Sequence, residues 1–580
     1  MQFMVAPPSG PVDPRVMAGR RRLLAVALLF TLAFAGVAAR LVDLAVTGAT
    51  RTLSAHATAR SGPDTRRADI TDRNGELLAT NLLVPSVFAD PAQIPNLEQA
   101  AAALARILSG VDAASLERKL RAAKRFAWVK HQVTPLEQAA VLNLGIPGVG
   151  FRFSEQRVYP KQHLASHVVG FVDIDNHGLA GVEHSFNEQL VGGRSAGKEP
   201  LALSLDLRVQ QVVRDELLRA FTRFRAQGAA GVVLDRVTGE LLALVSLPDY
   251  DPNRIDKATT ESRKNRVTGN TYELGSLFKI FTAAQALDSG QVSLQDSFDA
   301  TAPLRIGRHT IRDDHAKRRW LSMPEVFMYS SNIGTARMAF AAGGAEHQRE
   351  FLERLGLLSR PVLELPELAK PQLPRRWAEI TTATVAFGHG LAVTPLSFVD
   401  AVASVVGDGL RAPPTLLRHA PGAPVERTRV VSARTAEEMQ WLMWLTVQKG
   451  TGTQAQVPGY LVGGKTGTAD KVNPNGGGYL RNSVIASFVG VFPIDQPRYV
   501  VLVMLDDPRG DAAVHNFRYG GWTAAPVVRE IIARIGPILN VAPARGGADA
   551  PLEDRLVVSE KINARTQQKE RRFVAADAAR

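Results

Sequence analysis

The chain has 580 residues, 45% of them hydrophobic, enough for two or more folded domains. It contains no cysteine, which excludes disulfides, thiolate nucleophiles and cysteine metal sites. The formal net charge is +13, yet basic residues are scattered among acids and no nucleic-acid-binding motif is present, so the charge suits an anionic cell wall or membrane surface better than nucleic acid.

Residues 1–22 read as a short stub carrying Arg15, Arg20, Arg21 and Arg22. Leu23 to Ala39 form an uncharged apolar run between Arg22 and Arg40. At about 1.5 Å per residue it is roughly 26 Å long, near the lower limit for a membrane span. Flanking arginines can snorkel to extend it, and those of the stub favour a cytoplasmic N-terminus. Val37-Ala38-Ala39 resembles a signal-peptide cleavage site, but the run is long for a signal sequence, so 23–39 is expected to be a retained anchor. Everything after Arg40 then lies outside the cytoplasm.

Residues 58–193 form a mixed region. Ala68 to Ala79 has the pattern of a hairpin turning at Asn74-Gly75, and helices are expected over 97–108 and 113–123. Residues 192–198 read as a linker. Within it, Gly193-Arg194-Ser195-Ala196-Gly197 matches the nucleophile elbow of α/β-hydrolases, but that elbow needs a strand before it and a helix after it. Polar Asn187-Glu188-Gln189 upstream and a strand-like 200–204 downstream predict a loop instead.

Residues 200–540 form the larger domain. An amphipathic helix is expected over 206–224, then strands over 231–235 and 240–246 around a Thr238-Gly239 turn. A helical region from Ser276 to about Val447 follows. Three more strands come last: one around Lys465, then 483–492 and 499–505. The pattern predicts an α+β fold with a five-stranded, largely antiparallel sheet into which the helices are inserted in sequence. Residues 541–580 are rich in Gly, Ala and charge, and are expected to be disordered.

Three motifs carry the chemistry. In Ser276-Leu277-Phe278-Lys279 the serine opens a helix with the stripe Phe278, Ile280, Phe281, Ala284 and Leu287, and Lys279 shares its face. A lysine wedged between Phe278 and Ile280 should be part-buried, with a depressed pKa that lets it act as a base. Ser330-Ser331-Asn332 interrupts two apolar helical segments with poor helix formers. Lys465-Thr466-Gly467-Thr468 lies in a strand pattern, where a glycine-flanked edge strand lets a peptide approach and Lys465 with the threonine hydroxyls can hold a carboxylate. The same residues complete the pattern GxxxxGKT from Gly459 to Thr466, but a phosphate loop must open a helix, and Asn473-Pro474-Asn475-Gly476 downstream cannot form one. No HExxH or clustered histidine pattern points to a catalytic metal.

The trio, in this order, is similar to that of the penicillin-binding proteins and class A β-lactamases. Over nearly its whole length the chain resembles a class B penicillin-binding protein. Asp72-Arg73-Asn74-Gly75, Arg157-Val158-Tyr159-Pro160 and Gly178-Leu179-Ala180-Gly181-Val182-Glu183 are similar to the family's N-terminal pedestal motifs. Phe387-Gly388-His389-Gly390, Val393-Thr394-Pro395-Leu396 and Phe327-Met328-Tyr329 before Ser330 resemble the septal, cell-division branch. Leu274 stands where many relatives carry proline.

The resemblance implies a penicillin-binding transpeptidase fold with helices on both sides of the sheet, an elongated pedestal of the dimerisation type, and one transmembrane helix. It implies a peptidoglycan D,D-transpeptidase at the division septum of the bacterial inner membrane, with a periplasmic catalytic domain and no cofactor or metal. Ser276 would be the nucleophile and Lys279 its base. Ser330 would relay a proton and Asn332 would orient the peptide amide. The backbone N–H groups of Ser276 and Thr468 would stabilise the oxyanion, and Lys465, Thr466 and Thr468, with Gly467 between them, would bind the terminal carboxylate. The implied partners are stem peptides of the lipid-linked precursor polymer, a SEDS-type glycosyltransferase and divisome membrane proteins. A D,D-carboxypeptidase or β-lactamase would use the same trio with water as acceptor, and a divisome scaffold or β-lactam sensor would not use it catalytically.

Overall fold

The computed structural model describes residues 24–39, 67–191, 199–473, 476, 478–544 and 565. The expected stub, Leu23, Arg40, the elbow serine Ser195 and the tail beyond Ala544 (Arg565 aside) lie outside them. The chain divides into two units, 1–65 with 193–198, and 66–192 with 199–580. The described part of the first is a helix over 24–39 whose apolar side chains are exposed. No helix among the described residues is long and apolar enough to cross a membrane.

In the second unit the N-terminal sheet begins as the hairpin expected at Asn74-Gly75. Strands β1 (Ile70–Thr71) and β2 (Leu77–Ala89) pair antiparallel, with Ile70 opposite Ala79. β2 runs ten residues further than the hairpin motif because β3 (Ala127–Lys130) pairs with its end and β4 (Val149–Val158) pairs along it from Thr80 to Ala89. Helices α1 (Leu97–Ile107) and α2 (Ala113–Ala122) bury Leu104, Leu116 and Leu120 on a core shared with Val87 and Ala127. Asn96 and Asp112 cap them by accepting the Gln99 and Ser115 N–H groups. Asn187–Val191, just before the linker, is helical, so the nucleophile elbow lacks its leading strand.

The larger domain is built on a five-stranded antiparallel sheet in the order β7–β8–β9–β5–β6. Its strands are β5 (Gly228–Asp235), β6 (Leu241–Leu247), β7 (Gly463–Val472), β8 (Tyr479–Phe492) and β9 (Tyr499–Asp506). The strand of the third motif is therefore an edge strand. Alternation sorts the side chains into two cores. Ala230, Val232, Leu234, Leu502 and Met504 face the inserted helices, whereas Ala229, Val233, Val501 and Val503 face α3 (Leu207–Arg223) and Ile531 and Ile535 of the C-terminal helix Ala525–Ile538. Both faces are covered, so β5, β6 and β9 are buried along their whole length and read as continuous apolar runs.

Side chains join the two domains. Asp72 accepts the Asn74 N–H at 2.7 Å within its own turn and the Leu207 N–H at 3.1 Å at the start of α3. Asn253 exchanges hydrogen bonds with the backbone of Tyr159, both at 2.9 Å.

Candidate active site

The first motif forms a short 3-10 turn, Gly275–Phe278, that runs into α4 (Lys279–Asp288). Ser276 is half-buried, while the apolar stripe behind it carries Lys279 into the core, where the lysine is 1% exposed. Its Nζ donates to the Ser330 carbonyl at 2.5 Å, to Ser330 Oγ at 3.0 Å and to Asn332 Oδ1 at 2.7 Å. Burial lowers its pKa to about 7, against a smaller opposing pull from Asp313 and Asp314. The Ser276 hydroxyl itself takes no hydrogen bond among the described residues. Catalytic contacts of this kind often tighten only when substrate arrives.

The second motif is a helix end followed by a helix start. Ser330, with φ +60°, leaves helix α5 (Met323–Met328) in the left-handed conformation, which aims its carbonyl at Lys279. Ser331 then caps α6 (Asn332–Ala341) by accepting the Gly334 N–H at 3.0 Å. Serine and asparagine suit these positions for the same reason that they interrupt helices. Asp313 pins the junction from a preceding loop, accepting from Ser331 Oγ at 2.7 Å and from the Ile333 N–H at 2.9 Å.

In the third motif alternation sends Lys465 inward and Thr466 with Thr468 toward the cleft. Lys465 is fully buried and donates to Ser330 Oγ at 3.0 Å and to the Thr466 carbonyl at 3.2 Å. Its pKa is pushed well down, first by burial and then by the neighbouring Lys279. Two buried lysine amines thus converge on one hydroxyl. Gly467 is required by packing, since a Cβ there would stand 2.4 Å from Ser487 Oγ and 2.6 Å from Leu277 Cγ. That absence of a side chain brings the serine turn onto the edge strand. Lys465 sits inside a strand and opens no helix, so the nucleotide-loop reading fails on geometry.

A cleft opens over these groups, lined by Ser276, Ser330, Thr466, Thr468, Tyr519 and Trp522. The structure therefore gathers Ser276, Lys279, Ser330, Asn332, Lys465, Thr466 and Thr468 around one space. It adds residues the motifs did not name. Thr451 lines the cleft and shares a 2.7 Å hydrogen bond with Thr466 Oγ1, and Asp313 and Asp314 line it as well. Gly450-Thr451-Gly452, a hydroxyl between glycines, and the carboxylate pair Asp313-Asp314 were the available signals. Among the described residues no His, Asp or Glu cluster is arranged to hold a metal ion.

A serine beside a buried amine of depressed pKa, a shared hydroxyl, and threonines on a sheet edge define the serine acyltransferases of the penicillin-recognising class. The chain belongs to the penicillin-binding proteins of class B: the penicillin binding protein transpeptidase domain matches residues 229–533 and the penicillin-binding protein dimerisation domain matches residues 64–200. It is 40% identical over 489 residues to the probable peptidoglycan D,D-transpeptidase FtsI of Caulobacter vibrioides, covering 83% of this chain and 82% of that one. It is 32% identical over 509 residues to the peptidoglycan D,D-transpeptidase FtsI of Escherichia coli K12, covering 83% and 84%. Among solved structures it is similar to penicillin binding protein 3 of Mycobacterium tuberculosis complexed with aztreonam, with TM-score 0.65, 26% identity, and 83% and 98% coverage.

Proposed function

We propose that this chain is a peptidoglycan D,D-transpeptidase that cross-links stem peptides through an acyl-enzyme on Ser276. The observation that carries the reading is the convergence of Lys279 and Lys465 on Ser330 beneath a cleft that Ser276 lines. The 40% identity to a relative named peptidoglycan D,D-transpeptidase supports the same reaction.

Ser276 Oγ attacks the carbonyl carbon of the penultimate D-alanine while neutral Lys279 takes the hydroxyl proton. With its pKa near 7, a large share of Lys279 is unprotonated at neutral pH, which an exposed lysine would not achieve. The Ser276 and Thr468 N–H groups hold the oxyanion, each contributing about 3–4 kcal/mol in comparable sites. The C–N bond then breaks, and the departing D-alanine amine receives the proton from Lys279 through Ser330. Asn332 orients the peptide amide. An amine of a second stem attacks the ester carbonyl, passes its proton back along the same route and frees Ser276. Thr466 and Thr468 face the donor carboxylate, with Lys465 behind Ser330. The incoming negative charge favours the ammonium form of Lys465, reversing what burial does in the empty site.

The run 23–39 anchors the chain in the inner membrane with its catalytic domain periplasmic, and 1–22 is the cytoplasmic stub. Residues 58–193 are the pedestal, 200–540 the catalytic domain and 541–580 a tail. The small residues Ala33, Ala35, Gly36 and Ala39 suit helix packing in the membrane, against a SEDS-type glycosyltransferase among the divisome proteins. The septal assignment rests on Phe387 to Gly390 and on the relatives named FtsI.

The test is intact-protein mass spectrometry after penicillin treatment, with peptide mapping. One adduct on Ser276 is expected, absent from Ser276→Ala, which keeps a good helix former and so the fold. An adduct persisting in folded Ser276→Ala, or mapping to Ser195, overturns the reading.

A further inference from the structure

Outside the three motifs, one group of side chains ties the serine turn to the far end of the edge-strand hairpin. Glu273, three residues before Ser276, accepts the Gly390 N–H on Oε1 at 3.0 Å and the Tyr479 hydroxyl on Oε2 at 2.9 Å. His389 Nδ1 closes the triangle, 3.3 Å from Glu273 Oε2 and 3.4 Å from Tyr479 Oη. The three residues come from three places: the strap leading to Ser276, the loop 387–390, and the first residue of β8, where Tyr479 pairs with Val472 of β7.

Beneath this triangle three backbones touch without side chains between them. Gly275 donates its N–H to the Gly388 carbonyl at 3.2 Å. A Cβ on Gly388 would stand 2.0 Å from the Gly275 carbonyl oxygen, and one on Gly275 would stand 2.3 Å from that of Thr468. Tyr272 and Val393 exchange backbone bonds at 2.9 and 3.0 Å just outside. The spacing between the Ser276 and Thr468 backbones is thus set by a stack that Gly275 and Gly388 allow and Glu273 holds from its open side. The His389 side chain joins the same three segments from the loop, so Glu273, Tyr479 and His389 form one tie between the strap, the 387–390 loop and the β7–β8 hairpin.

We propose that Glu273, carried by Tyr479, is a positioning residue for the oxyanion site: it fixes the separation of the two backbone N–H donors on Ser276 and Thr468. This rests on the acyl-enzyme reading above. Glu273 touches neither the nucleophile nor the carboxylate-binding threonines. Its loss therefore acts on steps in which the oxyanion forms, acylation and deacylation alike, and leaves the first non-covalent binding of a β-lactam in place.

The experiment measures binding, acylation and deacylation separately for a chromogenic β-lactam with Glu273→Ala, Glu273→Gln and Tyr479→Phe. Displacing such donors by a fraction of an ångström costs less than deleting one, so Glu273→Ala should slow both covalent steps about tenfold or more, by a common factor, with the non-covalent dissociation constant within about twofold. Tyr479→Phe, at an exposed site where folding is not at risk, should slow both about threefold to tenfold, since the Gly390 bond survives. Glu273→Gln keeps an oxygen for Gly390 and an amide for Tyr479, and should restore both rates to within about threefold of wild type. Covalent rates within about threefold of wild type in both Glu273→Ala and Tyr479→Phe, or a loss confined to the binding step, overturns the proposal. Failure of wild-type protein to form the Ser276 adduct would instead overturn the acyl-enzyme reading.

Discussion

In the pedestal, Glu183 is fully buried and meets two guanidinium groups, Arg67 at 2.5 Å and Arg157 at 2.7 Å. In the catalytic domain, Lys279 and Lys465 are buried as deeply and, among the described residues, hydrogen-bond only to neutral oxygens of Ser330, Asn332 and Thr466. Both clusters remove charge from water, at a cost of several kcal/mol per ion. The pedestal offsets it with opposite charge at hydrogen-bonding distance. The active site withholds the counter-ion, and the cheaper way out is to shed a proton. A buried charge that is fully partnered holds the chain in place, whereas one that is under-partnered is chemically available.

The contrast can be broken at several points. Lys279→Ala should lower the penicillin acylation rate by about two to four powers of ten, measured by stopped-flow with a fluorescent penicillin. A rate within tenfold of wild type would mean the under-partnered amine is not the base. Glu183→Ala strands two buried guanidinium groups and should cost about 3–5 kcal/mol in urea unfolding, with the acylation rate of the folded fraction unchanged. A parallel fall in that rate would join the two clusters that the contrast separates. Lys465→Ala should slow acylation roughly tenfold to a hundredfold, through lost hydrogen bonding from a cation. ATP and GTP should bind neither form, as isothermal titration would report.

The dependence on pH is graded and leaves the plateau rate unchanged. Lys279 must be neutral to accept a proton, and its pKa is lowered to about 7. Acylation should therefore be near its plateau above that value and fall about tenfold per pH unit below it, because the ammonium has no lone pair. A flat profile between pH 5 and 8 would place the titration elsewhere.

Much of this was legible in the sequence because local physics and fold agreed. Phe278 and Ile280 flanking Lys279 announced its burial, and the apolar runs 231–235 and 499–505 announced strands covered on both faces. Glycine around Lys465 announced an edge strand approached closely by something else. The serine-rich second motif was legible as an interruption, but its form, a left-handed Ser330 followed by a capping Ser331, depends on where two helices are held. Asp313 and Thr451 left only a faint trace, a carboxylate pair and a hydroxyl between glycines, and Glu273 and Tyr479 were not legible as site residues. Each acts on a group far away in sequence, and only the folded chain brings a carboxylate at 273 to a hydroxyl at 479. The strands also grew beyond their patterns: β8 begins at Tyr479, before the apolar alternation starts at 483, because Val472 across the hairpin gives it a partner.

Asp72 has a mechanical consequence. One carboxylate closes the turn of the pedestal hairpin and accepts the first N–H of the helix that backs the catalytic sheet, and Arg73 beside it reaches Glu240 at 3.3 Å. Such a joint is stiff in tension, because pulling on the hairpin must break that bond to the helix start before the domains can part. A force applied to the pedestal is therefore delivered to the sheet that carries Lys465 instead of being spent in a slack tether.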